Sequence, residues 1–264
     1  MTVIAPDIAG IRHSLSTTRA ALREKFTQHS HPEHHLRAHA MLADDHLCMV
    51  WELLAMPPDL ALAATGGYGR GELYPHSDID LMILLPQQPG EELQQRLQQL
   101  VGAMWDIGLE VGHSIRTVDD CLTESADITV QTNLLEARLV TGDRALFRDM
   151  RDALAARLDR RAFYLAKAQE QERRHARFAD TDFNLEPNLK ESPGGLRDLQ
   201  TVLWISRACG LGESWQTLAQ AGLLTAQEAT ANPVKDSDIL ITKSDYSKMD
   251  SETPVTGVSL ETQQ

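Results

Sequence analysis

Cationic side chains are scarce in this chain: 25 Lys and Arg stand against 38 Asp and Glu, a formal net charge of -13. That deficit argues against a broad nucleic-acid footprint, which needs a basic surface, yet it leaves room for one nucleotide held by a local cluster of cations and metal. Cysteine is equally sparse. Cys48, Cys121 and Cys209 are far apart, odd in number and without C-x-x-C spacing, which argues against a disulfide framework or a zinc site and for thiols in a reducing compartment. No apolar run approaches the roughly 18 residues of a membrane span, and the first residues show no basic-then-apolar signal pattern. A cytoplasmic protein is expected. The remaining composition, 42% apolar and 24% charged over 264 residues, is that of an ordinary globular chain with length for one large or two small domains.

What is present is organised around Thr65 to Leu85, TGGYGRGELYPHSDIDLMILL. Gly66, Gly67, Gly69 and Gly71 let backbone N–H groups approach an anion, with a short helix starting near Tyr68 or Gly69 adding to the attraction. A plain tight turn is the competing explanation. The string lacks the Gly-Lys-Ser/Thr ending of a P-loop, and no long helix follows as in a dinucleotide fingerprint. Further on, Asp78 and Asp80 share one face of a strand whose other face, Ile79, Leu81 and Ile83, is apolar. Two adjacent carboxylates repel unless a cation lies between them, which makes the pair a candidate Mg²⁺ site, the metal bridging to substrate phosphates.

Along the chain, Ile8 to Leu54 has helical periodicity, and Leu60 to Ala64 and Ile79 to Leu85 read as strands. Glu91 to Asp106 reads as a helix, and Leu109 to Thr117 as a third strand with Glu110, Ser114 and Arg116 on one face and Val111 and Ile115 packed on the core. Glu110 meets Asp78 and Asp80 if those strands are neighbours. His113, opposite in parity, reads as a packed histidine. Val118 to Arg177 reads as helical with a break near Thr141-Gly142-Asp143, Asp182 to Gly195 as a loop, and Leu196 to Cys209 as a helix that Ser192 could cap. His29, His31, His34, His35 and His39 have no interleaved ligands at metal spacing apart from Glu33, so a solvated helix junction explains them better. Beyond Asn232 the composition turns to Ser, Thr, Asp and Lys, and that tail is expected to be disordered; its Asp236-Ser237-Asp238 reads as a chance echo of the acid pair.

These residues resemble a known family. Gly66-Gly67 followed by Ser77-Asp78-Ile79-Asp80 looks like the signature of the polymerase β-like nucleotidyltransferase superfamily. The strings GGYGRGELYPHSDIDLMILL, WDIGLEVGHSIRT and NLKESPGGLRDLQTVLWISR are similar to the N-terminal part of the bacterial PII uridylyltransferase/uridylyl-removing enzymes, over about Ile8 to Leu224. The resemblance implies an α+β fold, a small mixed sheet with flanking helices. It also implies transfer of UMP from UTP to a tyrosine hydroxyl of the PII signalling protein with two Mg²⁺ ions. Asp78, Asp80 and Glu110 are the expected metal ligands and catalytic residues; Gly66, Gly67, Arg70, Ser77, Lys190 and Arg197 are the expected nucleotide-binding residues. For Arg70, pairing with Glu72 or Asp78 is the alternative. The expected organisation is a helical lead-in over 1–57, a transferase core over 58–135, a helical region over 136–231 and the tail over 232–264. The chain has no His-Asp doublet, so the uridylyl-removing HD domain and the glutamine-sensing ACT domains of the family are not expected in it. Adenylylation of another protein and a silent fragment that binds nucleotide or PII are the alternative functions.

Overall fold

Four small and medium apolar residues, Ala61–Ala64, form the most deeply buried strand of the protein, because side chains of that size let helices approach a sheet from both faces. The structure, a computed structural model, describes residues 7–28, 32–75, 77–179, 188–212 and 214–225. His29, His31 and the tail beyond Asn232 lie outside the described residues, as do residues 182–187 of the expected 182–195 loop. The chain divides into two compact units, with the boundary between Arg157 and Leu158.

In the first unit the order is α1 (Ile8–Gln28), α2 (Pro32–Leu53), β1 (Ala61–Ala64), α3 (Gly66–Gly69), β2 (Ile79–Leu85), α4 (Glu91–Asp106), β3 (Val111–Thr117), α5 (Val118–Glu124), α6 (Ile128–Leu135), β4 (Arg138–Gly142) and α7 (Arg144–Arg157). The strands form one mixed sheet in the order β3-β2-β1-β4. β1 is antiparallel to β2 and β4, whereas β2 and β3 run parallel. Strand alternation separates two cores. Leu62, Ala64, Ile79, Leu81, Ile83 and Leu85 face Ile11, Leu47 and Leu100 of the three longest helices of this unit. Ala61, Ala63, Met82 and Leu84 face Cys121, Leu134, Phe147 and Met150 on the other side. This is the α+β architecture expected, a small sheet flanked by helices.

Three local expectations are corrected. β4 lies in a stretch that reads as helical and beyond residue 135, where the sequence reading ended the core. It is only five residues long and partly exposed along its length, so its own periodicity is too short to announce a strand. Its partner is β1, about 75 residues earlier, and Gly142 closes the pairing at φ 93° with the Asp143 N–H on the Leu60 carbonyl oxygen at 2.7 Å. β3 lies at the sheet edge, so His113 is exposed rather than packed and Ile115 is 40% exposed. Finally, His35 is not solvated. It is 5% exposed, stacked between Phe26 and His39 with centroids 4.5 Å from each, and burial holds its pKa down at about 4. Among the described residues no helix is long and apolar enough to cross a membrane, and the three cysteines are unpaired.

The second unit contains α8 (Arg160–Ala179), α9 (Leu196–Cys209) and α10 (Trp215–Gln220). The start of α9 is organised by Asp198 rather than by Ser192. Gly195 occupies the cap position without a side-chain bond, and Asp198 reaches back to accept the Gly194 N–H at 2.7 Å while pairing with Arg174 and His175 of α8. Burial alone would raise this carboxyl. The Gly194 N–H, His175 and Arg174 outweigh it and hold the pKa down at about 2. A depressed folded pKa stabilises above the ordinary carboxyl range and is lost as pH falls through the folded value. Asp198→Asn should therefore cost about 1–3 kcal/mol at neutral pH and flatten the part of an acid-unfolding curve between roughly pH 4 and 2, measured by circular dichroism.

Candidate active site

Strand register brings the glycine turn to the acid pair. Ala64 pairs with Leu81, and the Thr65 N–H donates to the Asp80 carbonyl oxygen at 3.0 Å, so Gly66 begins α3 directly beside Asp80. On the other side Asp80 pairs with Gly112 of β3. Glycine on both sides gives the carboxylate its room. A Cβ at Gly66 would stand 3.1 Å from Asp80 Oδ2, and one at Gly112 would stand 3.1 Å from Oδ1. Gly66 also has φ 57°, in the left-handed region. Asp80 is thereby slotted between two backbones at the open end of β2, where every other residue of the strand is buried.

Burial and then the charge of Asp78 raise the Asp80 carboxyl above its usual range. No ion pair or hydrogen bond within the described residues engages either carboxylate. This donor set fits a divalent cation: hard oxygen ligands, like-charged, unneutralised and reachable from solvent. The fit is of two acids. Among the described residues no group of three His, Cys, Asp or Glu side chains is gathered for a metal. Glu110 stands one residue before β3, with its carbonyl oxygen accepting the Ile79 N–H at 2.9 Å. Its charge acts on Arg19, a guanidinium whose pKa burial lowers and Glu110 partly restores.

α3 is a single turn, with Thr65 at its cap making no side-chain bond. Gly66 and Gly67 supply N–H groups that a first turn cannot satisfy internally. Gly69 is required for another reason: a Cβ there would strike the Glu136 carbonyl oxygen and come within 3.1 Å of the Ala64 carbonyl oxygen. Ser77 is exposed just before Asp78, its N–H on the Tyr74 carbonyl oxygen at 3.0 Å. Arg70 pairs with Glu136 at 2.9 Å and with Glu72 at 3.1 Å. In the second unit Lys190 is exposed, whereas Arg197 pairs with Glu191 at 3.3 Å and lies 5.3 Å from the Trp204 ring.

The sequence reading missed the residues that grip this turn from a distance. Tyr68 is 2% exposed, and its hydroxyl donates to Asp44 at 2.5 Å. Arg138 holds the same carboxylate with bonds of 2.7 and 3.1 Å and donates to the Tyr68 carbonyl oxygen at 3.3 Å. Tyr68 lies inside the glycine string and was legible as a candidate. Asp44, Glu136 and Arg138 carry no local signal.

Residues 48–121, which contain both the glycine turn and the acid pair, match a family model described as nucleotidyltransferase domain. Residues 162–232 match one described as GlnD PII-uridylyltransferase. The bifunctional uridylyltransferase/uridylyl-removing enzyme of Bordetella avium is 51% identical over 224 residues, 84% of this chain and 26% of the relative. That of Cupriavidus pinatubonensis is 50% identical over 222 residues, and that of Burkholderia mallei 47% over 225, again with 26% of each relative covered. The chain thus spans about a quarter of the length of the curated relatives it matches. It carries a nucleotidyltransferase domain over residues 48–121 and is similar, over 84% of its length, to one part of the bifunctional uridylyltransferase/uridylyl-removing enzymes.

Proposed function

We propose that this chain transfers UMP from UTP to a tyrosine hydroxyl of the PII signalling protein, releasing pyrophosphate. The observation that carries the reading is the Asp80 carboxylate slotted between Gly66 and Gly112, next to Asp78 and to the N–H groups of the glycine turn. Uridylyl as the group transferred is supported by the relatives' names, and PII as acceptor by the matched family description.

Asp78 and Asp80 are the residues that would hold Mg²⁺, with Glu110 proposed as a third carboxylate. A bound divalent ion supplies charge stabilisation to the phosphates and to the attacking and leaving oxygens of an in-line displacement. Gly66 and Gly67 offer N–H groups to the triphosphate, and Ser77 borders it. Positioning by these groups performs most of the catalysis, because phosphoryl chemistry asks little covalent work of the protein. Lys190 and Arg197 are proposed as further phosphate contacts, tested by charge-neutral substitution. In the cytoplasm, where UTP and Mg²⁺ are supplied, the expected partner is the PII protein.

Incubation with Mg²⁺, labelled UTP and PII should label PII on tyrosine. Labelling from ATP in preference to UTP would replace uridylylation by adenylylation, and nucleotide binding without pyrophosphate release would mark a binding fragment. Glu110→Gln should lower the rate on the order of tenfold if it completes the metal site, and an unchanged rate would remove Glu110 from it.

A further inference from the structure

Two groups of ion pairs hold the four-residue glycine turn from residues far away in sequence. Arg70, directly after the turn, donates from NH1 to Glu136 at 2.9 Å and from Nε to Glu72 at 3.1 Å. The Glu136 side chain is 2% exposed. Its own backbone is anchored as the C-cap of α6, with its N–H on the Thr132 carbonyl oxygen at 3.2 Å. Its carbonyl oxygen is the atom a Cβ at Gly69 would strike. Within the turn itself, Arg138 and Asp44 hold Tyr68 by its hydroxyl and its carbonyl oxygen, with the guanidinium 5.4 Å from the ring centroid. Partly buried ion pairs such as these are a poor source of net stability, since desolvation and solvent screening offset their attraction. Their use twice on one short turn is better explained by the position they impose.

We propose that Glu136 is a positioning residue for nucleotide: through Arg70 it holds the Gly66 and Gly67 amides at a set place beside Asp80. This inference rests on the nucleotide-binding reading above. It also gives Arg70 a role distinct from direct phosphate contact, because two carboxylates already balance its charge. The two roles predict opposite signs. A phosphate-binding Arg70 released by Glu136→Gln would tighten nucleotide binding, whereas a bracing Arg70 that loses its anchor lets the turn drift and weakens it.

The test uses the full chain and its Glu136→Gln, Arg70→Met and double variants. Binding of UTP and of ATP, each with Mg²⁺, is measured by calorimetry below the melting temperature of every variant. Each single substitution should weaken binding on the order of tenfold, and the double variant should lose no more than either single one, because both remove the same brace. Amide hydrogen exchange of residues 66–70 should rise in Glu136→Gln, with the interior of β2 unchanged. Tighter or unaltered binding in folded Glu136→Gln, or additive losses in the double variant, overturns the proposal. If Glu136→Gln does not fold, Glu136→Asp, which keeps the charge and shortens the reach, should weaken binding to a smaller degree, and unaltered binding there also overturns it. A wild-type chain that binds neither nucleotide refutes the nucleotide reading itself, a result seen before any variant is compared.

Discussion

Asp80→Asn should yield a folded protein whose proposed nucleotidyl transfer is reduced by at least about 100-fold, since loss of a cation ligand removes several kcal/mol of transition-state stabilisation and each 1.36 kcal/mol is tenfold. Folding survives because Asp80 is the one exposed residue of β2 and the strand's apolar residues are untouched. Thermal melting gives an independent second readout. Burial and the neighbouring Asp78 raise the Asp80 carboxyl, so its folded pKa lies above its unfolded value. The sign follows: ionised Asp80 costs stability at neutral pH, and that cost disappears when pH falls below the carboxyl range. In a divalent-free buffer Asp80→Asn should melt above the wild type at pH 7, and the difference should vanish on acidification. Added Mg²⁺ should then stabilise the wild type and leave the variant unmoved. A variant that keeps its activity, or that melts lower without metal, would remove Asp80 from the role given to it.

Gly69→Ala should be the most damaging single methyl in the first unit's site. The new Cβ has to displace the Glu136 carbonyl oxygen or the Ala64 carbonyl oxygen, backbone atoms at the C-cap of α6 and the end of β1. Overpacking of this kind costs about 1–3 kcal/mol. Here it also pushes the turn away from Asp80, so nucleotide affinity falls with stability. Gly71→Ala is the matched control. It has φ 77° but nothing within 4 Å of an added Cβ, so it should cost only about 1 kcal/mol of left-handed strain and leave binding near wild type. Denaturant unfolding and nucleotide titration of the two variants separate contact from conformation.

β2 and α4 were readable to the residue: β2 is a continuous apolar run interrupted only by Asp80, and α4 is a helical stripe opened by Glu91 and Glu92. β4 was not readable. Five half-buried residues have no period long enough to compete with flanking helices, and their pairing with β1 exists only once the chain has folded. The same contrast runs through the site. Gly66, Gly67, Asp78 and Asp80 announced themselves because backbone freedom and paired carboxylates are local properties, although β2 begins at Ile79, so strand parity applies to Asp80 and not to Asp78. Glu110 shared their parity, yet its charge acts on Arg19, a residue of α1 that no local pattern connects to it.

The chemistry the chain can offer, two carboxylates and a small-residue turn about ten residues apart, was therefore determined by the sequence itself. Tertiary structure alone decided that Gly112 arrives on a third strand to complete the slot around Asp80. It likewise brought Asp44, Glu136 and Arg138 onto the turn from distances of 24, 66 and 70 residues. The physical reason is that close approach and ion pairing depend on where segments meet in space, and contacts between distant segments leave no periodic trace in either one.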